Sequence, residues 1–401
     1  MTDTATEVQA KPDILRFIKA NVRDYALLLS LLAIMVFFQF ATDGTLFRPV
    51  NMTNILLQNS YIVIMALGML LIIVAGHIDL SVGSVSGFVG AVAGVMMVTM
   101  KIDTSLSVIA CLLVGAAIGA VQGYFVAYYK IPAFIVTLAG MLIFKGLALT
   151  ALGGASVGPF PKEFQLLSSG YIPDLVDMQA FGGPFNMLAM LIGILVTAVI
   201  IYFNYRERLN QQAHGLAEEP DIIFYGRNVL IAVAFVGFAF LMARYKGLPN
   251  VLIVMFALIA TFVFLTTRTT FGRRVYAMGG NEKAAKLSGI NTERLTFLIF
   301  MLMGALAALA GLIFAARLNV ATPKAGSGFE LDVIAACFIG GAATTGGVGK
   351  VIGAVIGAFI MGVMNNGMSI MGVGIDWQQV IKGTVLMLAV FLDVYYKNKA
   401  R

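Results

Sequence analysis

Apolar runs long enough to cross a lipid bilayer dominate this chain. A helix needs about 20 consecutive apolar residues to span the hydrocarbon core. About twelve stretches approach that length: 25–41, 55–75, 81–100, 105–128, 133–152, 186–204, 229–243, 250–267, 295–316, 331–348, 350–371 and 377–396. Hydrocarbon offers the backbone no hydrogen-bond partner, so such runs must form helices. Hydrophobic residues make up 60% of the chain and charged ones 12%, half of the roughly 25% usual in soluble domains. Too little polar surface remains to face water. The fold class is therefore all-α, a polytopic transmembrane helical bundle of about 10–12 spans.

Charge sets the expected orientation. Basic residues collect in cytoplasmic loops of membrane proteins, and counting twelve spans from an inside N-terminus places 205–228 and 268–294 in the cytoplasm. The second loop carries Arg268, Arg273, Arg274, Lys283, Lys286 and Arg294 against Glu282 and Glu293. Loop 153–185 falls outside, with Lys162 against Glu163, Asp174 and Asp177. Arg244 and Lys246 go against the trend. Both termini are thus expected to be cytoplasmic, as a segment 1–24 and a tail 397–401 around one transmembrane domain, 25–396. The polar lead before the first run is long for a cleaved secretory signal, so that run reads as a retained span. The net charge of +7 suits anionic lipid headgroups rather than nucleic acid.

Glycine is the second organiser, with 43 residues. Gly76, Gly83, Gly87, Gly90 and Gly94 share a helix face, and so do Gly115, Gly119 and Gly123, and Gly349, Gly353 and Gly357. Small faces let helices pack closely in lipid. A faint internal echo joins "HIDLSVGSVSGFVGAVAG" and "ELDVIAACFIGGAATTGG". Each opens with an acid before a small-residue stretch, as transporter repeats do.

Several chemistries fail on spacing. "TTGGVGKV" at 344–351 lacks both the first glycine and the final Ser or Thr of a phosphate-binding loop. Two cysteines, Cys111 and Cys337, and two histidines, His77 and His214, sit far apart in the sequence. They give no metal site or disulfide framework, and no cofactor is implied. No carboxylate pair, His cluster or nucleophile motif marks an enzyme. Ion-coupled carriers leave paired charges in their spans. Asp79, Lys145, Asp332, Lys382 and Asp393 are the candidates here, and Lys382 and Asp393 lie where they could snorkel to the interfaces. So few charges suit a neutral solute, although an ion-coupled secondary carrier remains the alternative.

Two short segments stand out. In 281–289, Asn281 can cap a helix with Glu282 in its first turn, "EKAAKLS" continues it, and Gly289 stops it. A helix so short is marginal alone in water. It either docks on a partner or is an ordinary basic loop. In "GHIDLSVGSVSG", 76–87, Asp79 or Ser81 can satisfy free N–H groups at a helix start within the membrane. Asp79 in direct contact with solute is the other possibility.

Four stretches resemble the permease subunits of bacterial ATP-binding-cassette importers for ribose, galactose, arabinose and xylose. They are "GHIDLSVGSVSG", "KIPAFIVTLAGMLIFKGLAL" (130–149), "TRTTFGRRVYAMGGNEKAAKLSGIN" (267–291) and "LDVIAACFIGGAATTGGVGKVIGAVIGAFIMGVMNNGMSIMGV" (331–373). The two extra spans between about 160 and 250 are more similar to the xylose and multiple-sugar branch. The resemblance covers most of 55–395. It implies a homodimer in the inner membrane, an ATPase subunit carrying two nucleotide domains, and a periplasmic sugar-binding protein facing loops 153–185 and 317–330. It also implies that Asn281, Glu282, Ala284, Ala285, Gly289 and Ile290 meet the ATPase, which favours docking. Relatives commonly have glycine or glutamate where His77 stands, which argues against special chemistry there. For a neutral sugar, Asp79, Ser81, Gly83, Thr344, Thr345, Asn365 and Asn366 are the expected path and helix-start residues.

Overall fold

The computed structural model describes residues 22–174, 177–180, 183–214 and 220–399. Most of the expected N-terminal segment, the last two residues of the tail and 215–219 of the expected loop 205–228 lie outside the described residues. Among those described, helix dominates and the strands are one antiparallel pair. These are β1 (Asp177–Ala180) and β2 (Gly183–Asn186), with Asp177 opposite Asn186.

The helices in order are α1 (Val22–Ala41), α2 (Pro49–Val74), α3 (Val82–Gly94, extended by a π-helical turn to Thr99), α4 (Thr104–Ala127), α5 (Ala133–Ala151), α6 (Lys162–Ser169), α7 (Met187–Ala213) and α8 (Asp221–Ala243). Then follow α9 (Asn250–Arg268), α10 (Thr270–Gly280), α11 (Glu282–Leu287), α12 (Thr292–Leu318), α13 (Phe329–Ile339), α14 (Val351–Ile370) and α15 (Ile375–Lys399). Among the described residues 9 of these are long and apolar enough to cross a membrane: α2, α3 with its π turn, α4, α5, α7, α8, α9, α12 and α14.

The chain divides into two compact units. Within Ile172–Leu248, α7 and α8 form an antiparallel hairpin. Gly193 lies so close to Ala239 that a Cβ there would collide with it. Asn204 donates to Asn228 at 3.0 Å, Arg208 pairs with Asp221, and the Arg208 guanidinium lies 4.4 Å above the Phe224 ring.

In the larger unit α2 is central. Of its most apolar stretch 89% is buried, against 28% for α4 and 22% for α5. Residues Ile62 to Val74 are buried on every helix face, so α2 is sheathed in protein while α4 and α5 leave a broad side for lipid. Two of the glycine faces are packing surfaces. Gly115, Gly119 and Gly123 of α4 press on Gly304, Ala308 and Phe300 of α12, and Gly353 and Gly357 of α14 press on Gly340 and Ala336.

One end of this unit gathers the C-terminus of α2, the turn at Lys130, α10, α11, the start of α12 and the turn 340–350. Gly347 N–H donates to Val74 C=O at 2.8 Å, and Lys130 lies 3.4 Å from Glu293. With Lys130, Arg273, Arg274, Lys283, Lys286, Arg294 and Lys350 on it, this is the basic end. At the far end Val157 and Ala321 exchange backbone hydrogen bonds of 2.9 and 2.8 Å.

The run 331–348, expected as a span, is not one. Its helix α13 holds 11 residues and rises about 17 Å, roughly half of the hydrocarbon core. The other half of the crossing is non-helical. After Leu318 the left-handed Asn319 reverses the chain, and 320–328 runs inward along the glycine face of α3. Ala321 lies beside Gly94, Ala325 beside Gly87 and Gly326 beside Gly83. Without side chains on this face of α3, the returning backbone can approach this closely. Its polar groups are met locally, Ala325 N–H donating to Thr322 C=O at 3.0 Å and Lys324 N–H to the Thr322 hydroxyl at 3.2 Å. Non-helical backbone at membrane depth is tolerated where protein buries it in this way.

Candidate functional site

The α2–α3 break forms one side of the site. Gly76, at φ +83°, turns the chain out of α2, and residues 77–81 run non-helical before α3. Asp79 is buried at 3% exposure. Its Oδ1 accepts from the Ser81 N–H at 2.8 Å and the Ser81 hydroxyl at 2.7 Å. Gln122 Nε2 on α4 in turn donates to Ser81 Oγ at 2.9 Å. Ser81 is the residue before the helix, and its side chain makes no hydrogen bond into the first turn. Asp79 therefore holds the helix start through Ser81, whereas the sequence suggested that Asp79 or Ser81 satisfies the helical N–H groups themselves. The helix also begins one residue later than expected, at Val82.

The start of α13 forms the other side. Gly83 and Gly326 meet so tightly that a Cβ on Gly83 would strike the Gly326 carbonyl and the Glu330 carboxylate. Two broken helices thus begin next to each other, both with acids near their N-termini, where the helix dipole favours negative charge. In the first turn of α13, buried Asp332 is paired with Lys382 of α15, whose Nζ lies 3.0 Å from Oδ1. Asn365 Nδ2 donates to Asp332 Oδ2 at 3.2 Å, and the buried Asn365 Oδ1 has no hydrogen-bond partner. Tyr61 stacks on Phe329, ring centres 4.2 Å apart, with Phe314 edge-on to both.

Beside this cluster opens a cavity of about 540 Å³. Its polar wall is Tyr61, Asp332, Asn365, Gln378, Gln379 and Lys382, and Phe329, Met361 and Leu386 give it apolar surface. Amides, a charge pair and an aromatic ring around an otherwise apolar space suit a small polyhydroxylated solute. The volume lies within the roughly 300–1,000 Å³ of small-molecule sites.

The other expected path residues fall elsewhere. Thr344 and Thr345 are exposed in the turn at the basic end and do not line the cavity. Asn366 turns away from its neighbour and pairs with Asn51 of α2 through hydrogen bonds of 2.9 and 3.0 Å. Such amide pairs join helices in lipid.

At the basic end, Asn281 Oδ1 accepts from Ala284 N–H at 3.0 Å and starts the 6-residue helix α11. Gly289 ends it at φ +83°. Ala285 is buried beneath, while Asn281, Glu282, Ala284 and Gly289 are exposed and Ile290 is half-buried. Leu287 is 91% exposed, a large apolar side chain standing out of a charged loop. Lys286 Nζ lies 2.6 Å from Glu293 Oε1 on α12. That hydrogen bond, with Lys130 nearby, holds the Glu293 carboxyl down to about 2, and Lys286 is raised in return.

Sequence reasoning missed four of these residues. Lys382 was set aside as a snorkelling lysine, but it is drawn inward by Asp332, 50 residues away. Tyr61 and Gln122 gave no signal within their apolar runs. Leu287 could have been found as the large apolar residue of a charged helix. Among the described residues no group of three or more His, Cys, Asp or Glu could hold a metal ion.

Membrane-length helices around two breaks at depth, with a polar cavity between helices, define a membrane transport protein. Comparison with known proteins gives the same class. The sequence profile described as "Branched-chain amino acid transport system / permease component" matches residues 51–208 and 184–390. The chain belongs to that permease family. The xylose transport system permease protein of Escherichia coli K12 is 40% identical over 380 residues, 95% of this chain and 94% of that one. The Haemophilus influenzae protein of the same description is 40% identical over 94% of this chain and 98% of its own. The ribose import permease protein of Escherichia coli K12 is 33% identical over 94% of this chain and 95% of that one. No solved structure matches. The chain is a multi-pass inner-membrane permease.

Proposed function

We propose that this chain is the membrane-spanning subunit of an importer for xylose or a closely related monosaccharide, acting as a homodimer. It has no catalytic role itself. An ATPase subunit with two nucleotide domains hydrolyses ATP, and a periplasmic sugar-binding protein delivers the solute. The basic end is cytoplasmic by the positive-inside rule, which puts both termini inside and loop 153–185 outside. Residues 281–290 then dock in the ATPase with Leu287 as the apolar anchor. Their movement passes through α10 and α12 to the broken helices.

The cavity beside Asp332 and Lys382 is the observation that carries a sugar as cargo. Its polar wall can bond hydroxyls through amides and charges at once, and Tyr61 offers a ring face. The xylose relatives narrow the sugar. Asp79, Ser81 and Gly83 act as architecture beside this path, Asn365 lines it, and Asn366 stabilises it.

The test is uptake of labelled sugars into proteoliposomes containing the chain, its ATPase and its binding protein. Xylose should be taken up with ATP and should outcompete ribose. Substituting Asn365→Leu or Gln379→Leu should lower transport while leaving binding-protein affinity unchanged. Uptake untouched by both substitutions would remove the cavity from the path.

A further inference from the structure

A second cavity, of about 530 Å³, lies at the basic end between α9, α10 and the start of α14. Val263, Val351 and Ile352 give it apolar surface, and Arg273 and Lys350 also line it. No acidic residue is among the residues that line it. We infer that this groove binds one anionic phospholipid, its acyl chain along Val263 and Ile352 and its phosphate between Arg273 and Lys350.

The depth fits this ligand. The membrane-length helix α9 ends at Arg268 and the apolar helix α14 begins at Val351, so the groove mouth lies at the boundary between hydrocarbon and headgroups. Ile352 is 52% exposed and Phe264, on the same end of α9, 60%. Such surfaces would face acyl chains. Arg273 and Lys350 then stand at headgroup level, where basic pockets between transmembrane helices select anionic lipids.

The start of α14 adds to the pull on an anion. Lys350 precedes it and its side chain does not bond the N–H groups of the first turn, which contains no acid. Its free N–H groups and dipole therefore reinforce the two cations. Tyr276, in the wall, donates its hydroxyl to Gly349 C=O at 2.6 Å. That bond fixes α10 to the turn carrying Lys350, so both cations are held by one frame. The site is separate from the sugar cavity and does not depend on which solute is carried.

The experiment uses the full chain, delipidated in detergent and examined by native mass spectrometry. Phosphatidylglycerol and phosphatidylcholine of identical acyl chains are the probes. Wild type should bind phosphatidylglycerol more tightly. Arg273→Gln with Lys350→Gln should weaken that binding by about thirtyfold, taking a rough contribution per basic residue near a membrane surface, and leave phosphatidylcholine binding unchanged. Val263→Trp, which fills the groove and keeps both cations, should also exclude phosphatidylglycerol. Unchanged melting of each variant keeps misfolding out of the comparison.

Equal binding of both lipids by wild type would overturn the inference. So would phosphatidylglycerol binding unaffected by Val263→Trp, which would put the acyl chain elsewhere. Full competition by glycerol 1-phosphate would mean a soluble organophosphate site instead. Loss of the bound lipid on adding the ATPase subunit would mean that a protein partner covers the groove.

Discussion

The Asp332–Lys382 pair permits a quantitative test of the site. Lys382→Met keeps most of the side-chain length but leaves the Asp332 carboxylate, 8% exposed, without its cation. Breaking a buried pair in this way costs about 3–5 kcal/mol. Asn365 still donates to Asp332 at 3.2 Å, which keeps the loss near the lower figure, about 3 kcal/mol. Asp332→Asn should cost less, about 1–2 kcal/mol, because Lys382 is 24% exposed and can reach water in the cavity. The double variant, with both charges gone, should cost about 1 kcal/mol, so the cycle gives a coupling of about 3–4 kcal/mol. Denaturant unfolding in mixed micelles can be followed through Trp377, the chain's 1 tryptophan, on α15 near Lys382. Two single losses that add to the double within about 0.5 kcal/mol would refute the pairing. Sugar uptake by the double variant separates the roles. Restored stability with restored uptake would make the pair structural, and restored stability without uptake would place it in contact with sugar.

Three further outcomes are expected. Leu287→Glu should reduce co-purification of the ATPase subunit at least tenfold, as loss of an apolar anchor does, and Gly289→Pro should uncouple transport while the protein stays in the membrane; normal assembly and uptake in both would dismiss the docking helix. Asp79→Asn should be milder than Asp79→Leu in uptake and yield, since Asn still accepts from Ser81, and equal losses would mean that the charge itself is needed. The Glu293 carboxyl is held down to about 2, so its support for α11 is complete above the ordinary carboxylate range and fades only as pH falls towards 2. Amide protection factors in 282–290, taken relative to intrinsic exchange at each pH, should therefore be constant from pH 6 to 8 and fall in Glu293→Gln at neutral pH, and identical protection in wild type and variant would discount the strut.

Periodicity and composition revealed most of the helices because a membrane span must be apolar throughout its length. The same uniformity hid the break in the 331–348 run. "LDVIAACFIGG" is as apolar as its neighbours, and what stops α13 at Ile339 is the turn built from Gly340, Gly341, Gly346 and Gly347. The half-crossing 320–328 was hidden for the opposite reason. "NVATPKAGSGFE" reads as a polar loop, and only the glycine face of α3 shows that it enters the bundle. The echo between the segments at Asp79 and Asp332 was legible, and its meaning was spatial: each segment begins a helix inside the membrane, and the two beginnings touch. The short helix at 281–289 could be read almost residue by residue because capping is local. Lys382 could not, since its partner is set by packing across three helices.

Asp79 and Asp332 are the buried carboxylates among the described residues, and buried acids are what a proton- or sodium-driven carrier requires, so their surroundings decide what they do. Asp79 accepts twice from Ser81, and Ser81 is held by Gln122. Asp332 has a lysine and an amide. A coupling ion must enter and leave its site on every cycle, yet each acid is already occupied by groups covalently part of the chain. For either to bind an ion, Lys382 would have to swing out into the cavity or Ser81 would have to release the start of α3, which would open the junction at Gly83 and Gly326. The energy for that opening fits a stroke delivered from outside the bundle, through residues 281–290, better than the binding of a single ion. Sugar uptake into vesicles supplied with ATP should therefore persist when a protonophore and a sodium ionophore abolish both gradients. Collapse of uptake with ATP still present would mean that Asp332 exchanges its lysine for an ion, and the pair would have to be assigned as a coupling site.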